Sequence, residues 1–343
     1  MNDSGNGQVH VPTRRIHPVF VEILNSVRSA DGESIEVRTP LAAVRLDTSH
    51  ARTHGRLRKA LYEAWHCGRV LDVGDVDPDE GFLRRLASSV AHTGSVDKGW
   101  ELLPGRGRDG NRLVRKAGVT ITVGGESIRF PPGGHRGRVD EVSVVLPPCR
   151  PNLSPGYFSV IASRGAPLTV DVRLYVNLPP TAAPQFLHRA THVLESGGLR
   201  YALKTLSDPN AYGRRDGTVA YLDAADADTG IDLLGGALAE TLGEAVRPVP
   251  PLCAEVRTGV GVAWEPRADS RVELSFGEHR FGAVASFLLD CVSRTEQPTT
   301  EGLGDYLAAE GIDPAQPHLN LDPGAGMPIY TPAPRAPKSH EED

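Results

Sequence analysis

Between Pro18 and Val90, apolar residues recur at i, i+3 and i+4 in "PVFVEILNSV", "RLRKALYEAWHCG" and "EGFLRRLASSVA". This spacing predicts three helices, the second closing on Gly68. From Trp100 the period drops to two: "RLVRKAGVTITV", "SIRF", "VDEVSVVLP", "YFSVIAS" and "LTVDVRLYVNL" alternate apolar and polar residues between Gly and Pro punctuation, the mark of a largely antiparallel sheet. After Pro184 the two periods mix. A helix "PQFLHRATHVLESGG" precedes strands "RYALKTL" and "TVAYL", a helix "IDLLGGALAETLGEAV", a strand "GVGVAWEP" and a helix "HRFGAVASFLLDCVSRT". The order predicts an α+β fold, with a helical N-terminal portion over 15–98 and a sheet flanked by helices over 99–330. Residues 1–14 and 331–343, polar and Pro-rich, are expected to be disordered ends.

Composition narrows the function classes. A chain of 343 residues is long enough to bury a core without staples. Cys67, Cys149, Cys253 and Cys291 stand far apart with no C-x-x-C pair, which speaks against a zinc knuckle or a disulfide framework. The formal charge of −6 disfavours non-specific nucleic-acid binding, yet leaves room for a local cationic pocket. No apolar run approaches the roughly 20 residues of a membrane helix, and "MNDSGNGQVHVPTRR" lacks the plan of a secretory signal. The expectation is a cytoplasmic protein.

Few motifs carry chemistry outright. "GRGRDG" (105–110) satisfies G-x-G-x-x-G, but a strand rather than a helix follows it, so a hairpin tip is the better reading. His188 and His192 share a helix face, yet the H-E-x-x-H glutamate and a third ligand are missing, and no metal is expected. There is neither a phosphate-binding G-x-x-x-x-G-K-[ST] loop nor a G-x-S-x-G elbow. What remains is a set of cations and proton-transfer groups in the second half. Arg173, Tyr175 and Asn177 alternate along one strand face, and Lys204 should point opposite Tyr201 and Leu203. Spacing alone leaves both sets open to an ordinary solvent-facing role. "SFGEHR" (275–280) opens a helix, where Ser275 either caps the backbone or helps to receive an anion, with His279 and Arg280 at its mouth.

Seven ordered segments then carry a resemblance: "HTGSVDKGW", "LSPGYFSVIAS", "RLYVNL", "LKTLSDPNAYGRRD", "GVGVAWEP", "SFGEHR" and "GIDPAQPHLN". Together they resemble the HopA-type type III effector family, whose relatives in peptide-natural-product clusters are the lyase component of class V lanthipeptide and thioamitide pathways. The resemblance implies removal of phosphate from phosphoserine or phosphothreonine of a ribosomally made precursor peptide, leaving dehydroalanine or dehydrobutyrine. It implies a kinase-like partner that phosphorylates the peptide, and no cofactor. His92, His318 and Val96 depart from the family's usual Asn, Tyr and Gly.

Such an elimination needs a base for the α-proton, stabilisation of enolate-like charge and a seat for the departing phosphate. Within the matched segments Lys204 is the first choice for base, because a desolvated lysine can give up its proton where an arginine cannot. Arg173, Arg214 and Arg280 are assigned to the phosphate, whose oxygens fit the guanidinium fork; Arg215 fits the family pattern less well. Either His279 or Tyr212 serves as acid, Asp216 orients Lys204 or Arg214, Glu265 orients a cation, and Tyr157, Tyr175 and Asn177 hold peptide backbone. The alternative function is a non-catalytic module, effector-like, that grips a phosphopeptide or leader peptide.

Overall fold

The computed structural model describes residues 15–29, 33–70, 79–105, 109–131, 141–266, 274–322 and 329–330. Both termini expected to be disordered lie outside the described residues, as does the tip of the "GRGRDG" segment at 106–108. The chain forms two compact units, one from Met1–His66 and Pro266–Gly324, the other from Cys67–Glu265 and Ala325–Asp343.

In the first unit, helices α1 (Pro18–Ser26) and α2 (Thr53–Leu61) enclose a three-stranded antiparallel sheet of β1 (Val27–Ser29), β2 (Ser34–Arg38) and β3 (Ala43–Asp47). Helices α6 (Phe276–Ser293) and α7 (Thr300–Ala309) return to the same unit late in the chain. Local chemistry sets the helix starts. Pro18 occupies the first turn of α1, where its missing N–H costs nothing, and Thr299 caps α7 by accepting from Gly302. Phe20, Ile23, Ile35, Leu57, Leu61, Phe276, Phe281 and Leu303 are fully buried and form the unit's core.

The second unit holds α3 (Glu80–Ser88), α4 (Ala183–Ser196), α5 (Ala227–Leu242) and two antiparallel sheets. The five-stranded sheet runs β6 (Val119–Val123), β5 (Arg112–Lys116), β4 (Ser95–Leu102), β8 (Glu141–Leu146), β7 (Ile128–Arg129), and closes over Trp100, Val114, Val142 and Val144. The larger sheet carries the chemistry. Its seven strands run β14 (Ala254–Arg257), β15 (Val260–Trp264), β11 (Val172–Val176), β13 (Thr218–Leu222), β12 (Tyr201–Leu206), β10 (Tyr157–Ile161), β9 (Cys149–Ser154). One face is apolar: Val172, Leu174, Leu203, Leu222, Val262 and Trp264 are all buried. α5 packs there so closely that a Cβ at Gly230 would stand 2.2 Å from a Leu222 methyl and 3.5 Å from one of Leu174. The opposite face bears Arg173, Tyr175, Lys204 and Tyr221.

The class is α+β, with helices and antiparallel sheets throughout both units. Within 18–90, which the periodicity reads as helical, the structure inserts β1 to β3 between two of the three predicted helices. Those strands are only three to five residues long, too short for an alternation to declare itself, although Val27, Ile35, Val37 and Val44 are ordinary strand formers. β4 escapes notice because Gly99, at φ 81°, sits in a register shift between Asp97 and Trp100 that interrupts the alternation. The connection after β4 leads into antiparallel β5 with no helix following, as a hairpin reading of "GRGRDG" requires.

Candidate functional site

The site is assembled on the polar face of the seven-stranded sheet. Antiparallel register pairs Ser159 with Lys204, Lys204 with Val219, Ala202 with Tyr221 and Tyr221 with Arg173. Directly paired residues share a face, and so do residues two apart along a strand. Tyr157, Lys204, Tyr221, Arg173 and Tyr175 therefore point the same way although they come from four strands.

Lys204 lies between two aromatic rings. Its ammonium is 4.4 Å from the centre of the Tyr157 ring and 5.5 Å from that of Tyr221. These rings are its side-chain partners; among the described residues no carboxylate or carbonyl takes a hydrogen bond from it. Each ring is in turn shared with a guanidinium, Arg214 at 5.7 Å from Tyr157 and Arg173 at 5.1 Å from Tyr221. Cations on both flanks thus share aromatic walls with the lysine.

Both arginines are held by carboxylates in two-toothed geometry, the arrangement that fixes a guanidinium plane most firmly. Glu265 accepts from Nε and a terminal nitrogen of Arg173. Asp216 accepts from Arg214 Nε at 2.6 Å and from a terminal nitrogen at 2.7 Å. Burial opposes the Arg214 charge, but the hydrogen bonds and charge of Asp216 outweigh it and keep the guanidinium charged. The Cys67 thiol closes this pair, 3.7 Å from an Asp216 oxygen and 3.6 Å from an Arg214 nitrogen. Nothing in the sequence pattern marks Cys67, which is over a hundred residues away in the chain and joins by tertiary contact; the Cys67 carbonyl also accepts from the Arg215 backbone N–H at 2.9 Å. The Arg215 side chain runs beside Gly68.

Tyr157 and Tyr175 stay protonated. Burial, with the Asp216 charge next, pushes the Tyr157 hydroxyl well above its ordinary value, and burial does the same to Tyr175. Asn177 donates its amide to the Pro248 carbonyl at 2.9 Å, while its enclosed side-chain oxygen accepts no hydrogen bond among the described residues.

Tyr212 turns away from this face. The Tyr212 hydroxyl is 2.9 Å from the Thr205 hydroxyl and donates to the Leu206 carbonyl at 3.0 Å. Thr205 is one residue from Lys204 and so faces the other side of the sheet, which is where Tyr212 is spent. His279 and Arg280 belong to the first unit. Arg280 is fully buried and donates to the carbonyls of Pro317 and Leu319 and to the Asn320 side chain at 2.8, 3.2 and 2.7 Å. A fourth contact, 2.9 Å, joins it to Nδ1 of His279. Burial, aided by that positive neighbour, pushes His279 down to about 4, so its imidazole is neutral at neutral pH. At the same helix start Ser275 and Glu278 form a reciprocal capping box, the reading for which "SFGE" carries the sequence signal.

His188 and His192 stack with ring centres 6.4 Å apart on exposed positions of α4. Among the described residues no group of three His, Cys, Asp or Glu side chains is placed to hold a metal ion, and no helix is long and apolar enough to cross a membrane.

Comparison with known proteins follows the same half of the chain. Residues 149–319 match the model of the HopA1 effector protein family. They include β9 to β15 and every residue of the sheet-face site except Cys67. No curated protein matches the chain. Among solved structures it is similar to the effector protein from Pseudomonas syringae pv. tomato strain DC3000, at 16% identity over 88% of this chain and 96% of that one, with a TM-score of 0.47. A second is the effector protein from Pseudomonas syringae pv. syringae strain 61, at 16% identity over 80% and 94% of the two chains, with a TM-score of 0.44.

Proposed function

We propose that this chain, whose residues 149–319 match the HopA1 effector protein family, is a carbon–oxygen lyase that eliminates phosphate from phosphoserine or phosphothreonine of a ribosomally made precursor peptide. The observation that carries the reading is Lys204: a lysine with no ion pair among the described residues, walled by two rings and flanked by two carboxylate-held arginines.

In this reading Lys204, as the free amine, takes the α-proton of the phosphorylated residue. The C–H electron pair becomes the new carbon–carbon double bond, and the β-carbon–oxygen bond breaks with its pair leaving on phosphate. Arg173 and Arg214 are the groups with the shape and charge to seat phosphate oxygens and to take up the charge that grows on the leaving group. Glu265 and Asp216 fix the two forks before substrate arrives, so the site need not reorganise during reaction. The elimination is redox-neutral and calls on no cofactor. Tyr212, turned to the opposite face, is not the acid of this scheme, and the scheme draws on no group of the first unit. A kinase-like enzyme supplies the substrate, and an enzyme that adds cysteine across the double bond consumes the product.

The test is incubation of the protein with phosphorylated Ser/Thr peptides from a candidate precursor, followed by intact-mass measurement. Loss of phosphoric acid, abolished by Lys204→Ala with phosphopeptide binding retained, is the expected result. Retained phosphate together with tight binding in both proteins would instead support the effector-like binding module.

A further inference from the structure

Tyr221 occupies a position that no motif marks. It stands on β13, between the strand that carries Lys204 and the strand that carries Arg173. Its ring centre is 5.1 Å from the Arg173 guanidinium and 5.5 Å from the Lys204 ammonium. Register makes it the direct partner of Arg173, and it is one pleat along from the partner of Lys204. Glu265, which grips Arg173, follows β15 on the next strand outward. Across successive strands of one face the order is thus Lys204, Tyr221, Arg173, Glu265, and the tyrosine is its uncharged member.

That placement matters because of what two charges would otherwise do. On a partly buried face a lysine and a glutamate attract each other strongly, and a lysine paired with a carboxylate is held in its protonated form. A ring set between them offers each cation its negative face instead. The cation–ring contact is directional but weaker than a desolvated ion pair, so it can orient the ammonium without locking the proton onto it. The Tyr221 hydroxyl makes no hydrogen bond among the described residues, which leaves the ring as the part in use.

We propose that Tyr221 is a positioning residue of the lyase site: its ring holds Lys204 apart from the Arg173–Glu265 pair and aims the amine at the substrate. The inference rests on the lyase reading above.

The full-length chain with Tyr221→Phe and Tyr221→Leu tests it, using a phosphothreonine peptide for kinetics and lysine-labelled protein for NMR, with the Lys204 ε-methylene signal assigned by its loss in Lys204→Arg. Tyr221→Phe should keep kcat within about twofold and leave the Lys204 signal shifted by ring currents. Tyr221→Leu should lower kcat about tenfold or more with KM little changed, equivalent to ~1.4 kcal/mol of transition-state stabilisation, and should move the signal towards that of a free lysine. A wild-type kcat in the Leu variant, or an equal loss in the Phe variant, overturns the proposal. If the wild-type protein eliminates phosphate from no peptide, it is the lyase reading that falls. The NMR comparison still decides whether the ring holds Lys204, and an unmoved signal in Tyr221→Leu overturns that as well.

Discussion

Arg214 and Asp216, two residues apart in the chain, face each other through two hydrogen bonds of 2.6 and 2.7 Å. Their side chains are only 11% and 4% exposed. A charge pair this deeply enclosed is costly to break from one side, because the survivor keeps its buried charge and loses the opposite one. Asp216→Asn should lower stability by about 3–5 kcal/mol, read as a fall in the midpoint of urea unfolding. If the midpoint is unchanged, the pair is not enclosed in solution as described.

Tyr212 supplies a contrast between structure and catalysis. Its hydroxyl serves Thr205 and Leu206 on the apolar side of β12. Tyr212→Phe should cost about 1–2 kcal/mol of folding stability through the lost hydrogen bonds while elimination from phosphopeptide proceeds at the wild-type rate. A collapse of kcat in a well-folded Tyr212→Phe protein would return the phenol to the chemistry.

Arg280 ties the start of α6 to the 317–320 turn through three acceptors and is 0% exposed. Arg280→Met keeps much of the volume but removes the guanidinium that donates to the Pro317 and Leu319 carbonyls and to the Asn320 oxygen. The expected outcome is a loss of about 2–4 kcal/mol, with faster proteolysis around residues 313–322. Resistance to protease equal to that of wild type would contradict the tie.

His279 makes stability depend on pH. Its folded-state value, about 4, lies below the ordinary 6.5, so between these two values the unfolded chain binds more protons at this site than the native one. Stability contributed by this group is present above pH 6.5 and is lost as pH falls towards 4. Thermal unfolding followed across this window should show a falling melting temperature for wild type and a flatter profile for His279→Gln. Equal slopes in the two proteins would show that His279 is not the group responsible.

Much of the architecture was legible in the hydrophobic pattern. The helices α1, α4 and α6, and the extended segments of β5 and β6, declare themselves by period, and the alternation in "VRLYVNL" and "RYALKTL" assigns Arg173, Tyr175 and Lys204 to polar faces before any pairing is known. The pattern fails where an element is too short or too irregular to repeat: β1 to β3, the bulged β4, and β9, which contains Pro151. The site was legible in part. Lys204, Arg214 and Asp216 stand in one quoted loop-and-strand segment, and Glu265 was marked only as the partner of some cation. Which cation each carboxylate would hold depended on register.

From its residues alone this chain determines which faces of its strands are polar, because a side-chain period of two follows from backbone geometry wherever the segment is extended. Only the tertiary structure decided that four such faces lie edge to edge. Strand order placed Tyr221 between Lys204 and Arg173, and a contact over more than a hundred residues brought Cys67 to Arg214 and Asp216. It also turned Tyr212 away, since a shift of one residue along β12 moves a partner from one side of the sheet to the other. Pairing and register are properties of distant segments meeting, and no local pattern carries them.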